Sequence, residues 1–464
     1  MFEYIFTILD PLMILGGILL FGITSLLALR RPDICFMLGF PAIIFMGQLK
    51  AYFPVSVSAV AAIFPLSAGV GFLMRGGRLC FGRCEKLMIG LGLLMALSLH
   101  YTSDPIYGRD KTILFLLLVL PVVVLAPNII NSTKSLRSIM FILFWTLVIY
   151  VFTSIVLHQQ AEIVGGRAAT LHDVIVAGQY LGLAVVIGFS YLVVSKIGDI
   201  GQYLLVCMIS LGALLLFATG TRGPILAVIL AMLFVYWFVH AEGFKGFLRR
   251  SRQTYVIILI GSGIIFSGSL VLKNTLPGDT YRRFTSVGAF FSNFTPSKMR
   301  DWENSKSRSM HYMSATNAFL AHPLTGVGAG GYKTVLFEGG YSGVNRVRLL
   351  DESTHAYPHN MVLEFACEQG ILGLIMILSV IYLNFKMICR LKKVYHSDPQ
   401  RHFVLCLFTA VYFFGLCVSM TSLDIPRMVI LWWAMGLLLA TDRIYAKQPS
   451  ILSKGRWRGI ASIT

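Results

Sequence analysis

The strongest constraint on this chain is a series of long apolar runs that carry no charged side chain, such as 112–125 and 254–272. Crossing a hydrocarbon core takes roughly 20 apolar residues at ~1.5 Å of rise each. In lipid the backbone must satisfy its own hydrogen bonds, so runs of this kind become helices. A β-barrel would show short alternating segments instead, and the sequence has none. Spans are expected near 8–29, 34–49, 54–74, 87–101, 112–130, 138–157, 174–195, 202–219, 224–240, 254–272, 361–385, 403–420 and 426–441. The predicted fold is an all-α polytopic membrane protein with about 12–13 transmembrane helices, one membrane domain over 1–464. With 34–74 as one span plus a re-entrant piece the lower count holds and the N-terminus lies inside; otherwise it lies outside. The first segment has no basic stretch before it and no small-residue cleavage site, so it is expected to stay as a span.

Only 13% of residues are charged, yet the formal net charge is +18. The basic residues cluster in alternate connections: Arg30 and Arg31; Arg75, Arg78, Arg83 and Lys86; Lys134 and Arg137; Lys245 to Arg252; Lys386 to Arg401; and the tail from Arg443. The other connections hold scattered charges such as Lys50, Arg109 and Lys111. This asymmetry puts the clusters and the C-terminus in the cytoplasm. The basic excess is a topology signal, and no nucleic-acid partner is expected.

The one large departure from hydrophobicity is 273–358, a basic stretch rich in glycine and turn residues. Loops longer than ~60 residues escape the charge rule, so this one is expected outside, on the periplasmic side, as the natural seat of function. None of the eight cysteines lies in it, so no disulfide framework is implied. Cys80 and Cys84 have no histidine nearby in sequence, and neither they nor any Asp-x-Asp element suggests a metal site.

Four places near the outer face could carry chemistry. In Gly220-Thr221-Arg222-Gly223-Pro224 a guanidinium at the membrane boundary could grip a phosphate through its planar fork, or simply anchor at the interface. Gly165-Gly166-Arg167 offers a second cation, with a solvated loop arginine as the plainer reading. Arg308 precedes an expected helix over 309–320 and the turn His322-Pro323-Leu324-Thr325-Gly326-Val327-Gly328; alone it reads as loop surface. The fourth is His355-Ala356-Tyr357-Pro358-His359-Asn360, just before a span. Pro358 and Asn360 mark a helix start, whose positive end favours a neutral imidazole, as a general base requires; an interfacial helix cap is the alternative. Glu364 and Glu368 follow on the same helix at membrane depth, where ionisable groups are functional candidates or packing pairs.

These residues resemble the bacterial O-antigen ligase and polymerase superfamily. That family's signature is His, then Asn, Ser or Gln, nine residues, then Gly; here it reads His359-Asn360, 361–369, Gly370. The turn from His322 to Gly328 is similar to the family's His-Pro-Leu-x-Gly-Val-Gly. Thr219-Gly220-Thr221-Arg222-Gly223 and Tyr107-Gly108 with Lys111 also look familial, so the likeness covers roughly 105–375. The resemblance implies a C-type membrane glycosyltransferase in the bacterial inner membrane, serving lipopolysaccharide biosynthesis, with its site facing the periplasm. It would move a glycan from an undecaprenyl-diphosphate donor to an acceptor sugar such as lipid A core, inverting the anomeric centre without metal or cofactor. The resemblance makes His359 the base on the acceptor hydroxyl and gives the diphosphate to Arg222 and Arg308. Arg167, Asn360, His355 and Tyr357 are further substrate-binding candidates. Arg282, Arg283, Arg346 and Arg348 fit no motif; they could serve an anionic acceptor or the headgroup layer. An O-antigen or exopolysaccharide polymerase of the same superfamily would share the donor chemistry, so the motifs do not separate the two. A transporter or flippase would need matched interrupted spans in two halves, which the sequence lacks.

Overall fold

The computed structural model describes residues 11–49, 57–158, 163–164, 167–168, 174–194, 199–219, 221–239, 299–338, 356–395, 398–421 and 424–447. The first helices are α1 (Pro11–Arg30), α2 (Pro32–Leu49), α3 (Val57–Met74) and α4 (Arg83–Ser98). Next come α5 (Pro105–Leu114), a π turn (Phe115–Val119), α6 (Leu120–Ile129) and α7 (Thr133–His158). A two-residue antiparallel pairing of Ile163–Val164 with Arg167–Ala168 leads to α8 (Val174–Val194), α9 (Asp199–Ala218) and α10 (Arg222–Val239). The remainder is α11 (Met299–Ala321), α12 (Tyr332–Glu338), α13 (Met361–Tyr395), α14 (Pro399–Ser419), a 3₁₀ turn (Ile425–Arg427) and α15 (Val429–Lys447).

Among the described residues, 7 helices are long and apolar enough to cross a membrane, and four shorter apolar helices accompany them. Large apolar side chains such as Leu26, Leu97, Phe141, Leu204, Leu233 and Leu372 stand on the outside. A soluble protein could not tolerate that surface, whereas lipid matches it. The chain is a multi-pass membrane protein of all-α fold. Every expected span except 254–272, which lies outside the described residues, falls on a helix. The 34–74 region forms two helices, α2 and α3. The chain reverses between them and α1, so that Cys35 Sγ reaches the Thr24 carbonyl at 3.3 Å, and Gly39 packs on Phe64 and Pro65.

Local chemistry sets several ends. Asp104 caps α5 by accepting the Tyr107 N–H at 3.1 Å, with Pro105 in the first turn, so this helix starts before the apolar run does. Asp398 caps α14 in the same way through the Arg401 N–H at 3.2 Å, ahead of Pro399. Pro121 cannot donate to the preceding turn, and the π turn directly before it absorbs the fault. The main core runs through α15, where Trp432 Nε1 donates to the Ile425 carbonyl at 2.8 Å and Trp433 packs on Phe36. A smaller cluster of Ala315, Ala318, Tyr332, Leu336, Ala356 and Cys367 joins α11, α12 and the start of α13 into an outer cap.

One residue read as part of the basic tail has a structural duty. The Arg443 guanidinium bonds the buried carboxylate of Glu85, the Cys80 carbonyl at 2.7 Å and the Asn128 side chain at 2.9 Å. It ties α15 to α4 and α6, and Cys80 and Cys84 remain thiols.

Candidate functional site

The glycine that closes the His-Asn-x₉-Gly spacing breaks α13. Gly370 adopts φ 64 and ψ −158 inside an otherwise helical run of 35 residues. That break frees the carbonyls of the preceding turn, and the glycine-rich turn uses them. The Val327 N–H donates to the Cys367 carbonyl at 2.9 Å and the Gly328 N–H to the Glu368 carbonyl at 3.0 Å. The Ile371 N–H donates back to the Pro323 carbonyl at 2.7 Å. The approach is backbone on backbone: a Cβ on Gly370 would sit 2.4 Å from the Leu324 oxygen. On its other side the same turn grips α4 and α5. Ala329 accepts from Thr102 at 2.7 Å, its N–H reaches Ser98 at 3.0 Å, and a Cβ on Gly108 would meet its oxygen at 2.3 Å. The family-like elements around Gly108, Gly328 and Gly370 thus form one joint.

Below this joint lies a buried ion cluster. Lys111, on α5, pairs with Glu364 and also with Glu368 at 2.6 Å, and all three side chains have 0% exposure. The Ile425 N–H approaches Glu364 at 3.4 Å, and Tyr107 donates to Asp424 at 3.5 Å. Lys111 was expected among the scattered outer charges; it is instead a core residue. Its partners lie one and two turns into α13, so the pair fixes the helix that begins at His359.

His359 has φ 59, the one left-handed non-glycine residue among those described. Histidine enters this region more readily than most residues, but the conformation still costs on the order of 1–3 kcal/mol. The Asn360 Oδ1 accepts the N–H groups of Val362 and Leu363, both at 3.1 Å, which makes Asn360 the N-cap of α13. The His359 ring is 4.6 Å from Tyr357 and 5.3 Å from His311, edge-on to both. His311 Nδ1 lies 2.8 Å from the Tyr332 hydroxyl, which donates its proton to the His311 carbonyl at 3.1 Å. Sequence reading missed His311; its place in the middle of a polar helix gave no sign of its neighbour.

Arg222 is the first residue of α10 and half-buried. Thr219 and Thr221 bridge the turn before it with hydroxyls 2.7 Å apart. Helices α10 and α14 run antiparallel, since Phe238 meets His402 while Val228 and Phe414 share Gly182. Six residues further along each, roughly 9 Å of rise, Arg222 comes level with Met420. There the Tyr312 hydroxyl donates to the Met420 carbonyl at 3.3 Å. Arg308 lies on α11 one turn before Tyr312, and His311 touches His359 from the same helix. Arg222, Arg308 and His359 are thus gathered at one end of the helix bundle. The helix expected over 309–320 begins ten residues earlier, at Met299. Arg167 is described only as backbone, in its short pairing with Val164. His355, Arg282, Arg283, Arg346 and Arg348 lie outside the described residues.

A further cation emerges beside this group. Arg427 falls within the expected span 426–441, but α15 starts only at Val429, so Arg427 stands on the outer turn. Its Nε is 3.5 Å from Asp424, whose side chain is buried while the guanidinium is 42% exposed. Burial disfavours its charge, but Asp424, then Tyr107, Tyr357 and Glu364, hold its pKa above the ordinary arginine value. It therefore sits within electrostatic reach of the residue next but one to His359.

No curated protein matches the chain. Residues 203–378, from α9 through the break in α13, match the sequence model of the family described as O-antigen ligase. The matched segment contains Arg222, Arg308, His359 and Gly370. Members of that family are membrane glycosyltransferase-like enzymes, ligases or polymerases, acting on lipid-linked glycans. This match over residues 203–378 supports membership of the O-antigen ligase and polymerase superfamily.

Proposed function

We propose that this protein is an O-antigen ligase-type glycosyltransferase working at the periplasmic face of the inner membrane. It moves a glycan from undecaprenyl diphosphate to a hydroxyl of an acceptor sugar, lipid A core. The observation that supports this reading most is the seat of His359. An imidazole held in left-handed backbone, flanked by His311 and Tyr357 at the start of a rigidly tied helix, is positioned for proton transfer. In the reaction His359 takes the acceptor hydroxyl proton as that oxygen attacks the anomeric carbon. The bond from that carbon to the diphosphate oxygen breaks, and undecaprenyl diphosphate leaves with the electron pair. Arg222 and Arg308 stabilise the charge that develops on it, as preorganised cations do in a site with little water. Attack opposite the leaving group inverts the centre.

The test incubates the protein in nanodiscs with undecaprenyl-diphosphate-linked glycan and lipid A core oligosaccharide. Glycosylated core supports the ligase. Free lengthened polymer without core modification would make the protein a polymerase of the same superfamily. No transfer, with glycan crossing sealed vesicles instead, would make it a transporter.

A further inference from the structure

A cavity of about 460 Å³ opens where α1, α3 and α6 end and α7 begins. It lies at the far end of the α5–α6 helix from Tyr107, ~22 residues or roughly 33 Å away, so it is separate from the candidate active site. Arg30, Arg31, Arg75 and Lys134 line it, with Asp33 and Asn131. Arg31 is spent on Asp33 through two bonds of 3.1 Å. Arg75 is turned toward Arg30, donating to its carbonyl at 3.2 Å. No carboxylate among the described residues pairs with Arg30, Arg75 or Lys134. Three positive charges therefore converge from three separate helix ends on one concave space of ordinary ligand size.

We infer that this cavity binds the phosphate headgroup of an anionic phospholipid. Cations carried by arginine match phosphate oxygens bidentately, and Asn131 adds a neutral donor. Lipid rather than a soluble phosphate is indicated by what borders the opening. Leu26 and Leu29, on the turn of α1 before Arg30, are 68% and 38% exposed. Leu73 and Met74, directly before Arg75 on α3, are 49% and 70% exposed. An acyl chain can lie on these residues while its phosphate enters the cavity. The charge pattern puts this end of the helices at the cytoplasmic leaflet, where the bilayer offers such headgroups. Held there, the lipid would bridge α1, α3 and α7, which otherwise present like charges to one another.

The experiment uses the full-length protein, delipidated in neutral detergent. Native mass spectrometry and thermal unfolding are followed as phosphatidylglycerol, phosphatidylcholine or inorganic phosphate is added. Phosphatidylglycerol should be retained as an adduct and raise the unfolding midpoint; phosphatidylcholine should do neither. Each of Arg30→Gln, Arg75→Gln and Lys134→Gln should weaken adduct retention roughly fivefold, the worth of one basic residue at an anionic surface. Lys86→Gln and Lys386→Gln, exposed cations outside the cavity, should leave it unchanged. Equal losses from the control substitutions would overturn the site in favour of diffuse attraction. Stabilisation by inorganic phosphate alone, to the same extent, would overturn the lipid as occupant. If a variant does not fold, wild-type protein that fails to prefer phosphatidylglycerol over phosphatidylcholine still rejects the inference.

Discussion

Lys111 and Glu368 meet as an ion pair 2.6 Å long with no exposed atom in either side chain, although 257 residues separate them in sequence. Glu364 shares the same ammonium, and its Oε2 finds no hydrogen bond among the described residues. Taking away the lysine would leave two carboxylates buried together. Lys111→Met should therefore cost about 3–5 kcal/mol, as loss of one partner of a buried pair does. Adding Glu364→Gln and Glu368→Gln should restore much of that stability, because neutral amides no longer need the cation. Unfolding midpoints of the two variants in detergent check this. A stable Lys111→Met single variant would show the cluster to be hydrated and loosely held.

The joint at Gly370 gives a sharper contrast. Its φ of 64 and the 2.4 Å approach to the Leu324 oxygen both forbid a side chain there. Gly370→Ala should destabilise the protein by at least ~1–3 kcal/mol and detach the 322–331 turn from α13. Gly22→Ala, on α1 with nothing within 4 Å of the added carbon, should be neutral or slightly stabilising. Proteolysis and unfolding of the two variants decide it. Equal behaviour would mean that the turn is held by something other than this close contact.

These two features mark what sequence could and could not tell. The helices were legible because lipid demands long apolar runs, and the α13 start because Pro358 and Asn360 are a local capping signal. Gly370 was legible as a spacing, but its purpose was not, since the carbonyls it frees serve a turn more than 40 residues upstream. Lys111 looked like a loop charge because it follows Arg109 and Asp110 in a short polar connection; its buried partners arrive from α13, more than 250 residues away. Arg427 was absorbed into an apolar span because three residues of 3₁₀ turn ahead of α15 leave no mark in hydropathy.

Arg427 should contribute to donor binding as a third cation at the outer end. Arg427→Gln removes both that charge and the partner of buried Asp424, so it should destabilise the fold and weaken donor binding together. Adding Asp424→Asn should repair the first defect and leave the second. Loss of one charge-assisted contact predicts a donor Kd higher by about tenfold or more. Unfolding and donor titration of the single and double variants separate the two effects. Recovery of both in the double variant would confine Arg427 to a structural role.

His359→Ala should fail in a different way from Arg222→Ala and Arg308→Ala. If His359 is the base, its interaction with the acceptor proton exists only as the hydroxyl is being deprotonated. Its loss should slow single-turnover transfer by roughly 10²- to 10⁴-fold, the usual worth of a positioned acid or base, with donor binding nearly unchanged. Alanine tolerates the left-handed backbone at this position less well than histidine, so a modest loss of stability is expected, but the cap of α13 should persist because Asn360 supplies it. The arginine variants should differ in kind, since those side chains would touch the diphosphate before and during the reaction. They should weaken donor binding and slow turnover together, and lysine should rescue them only in part because it lacks the planar fork. Replacing His311 by phenylalanine offers an internal control. It keeps a ring beside His359 but breaks the bond to Tyr332, so it should reduce transfer less than His359→Ala while leaving donor binding intact. Donor titrations and single-turnover transfer in nanodiscs resolve all four variants. A folded His359→Ala protein that transfers glycan at the wild-type rate would reduce His359 to a strained interfacial residue, and the base would have to be sought at His311.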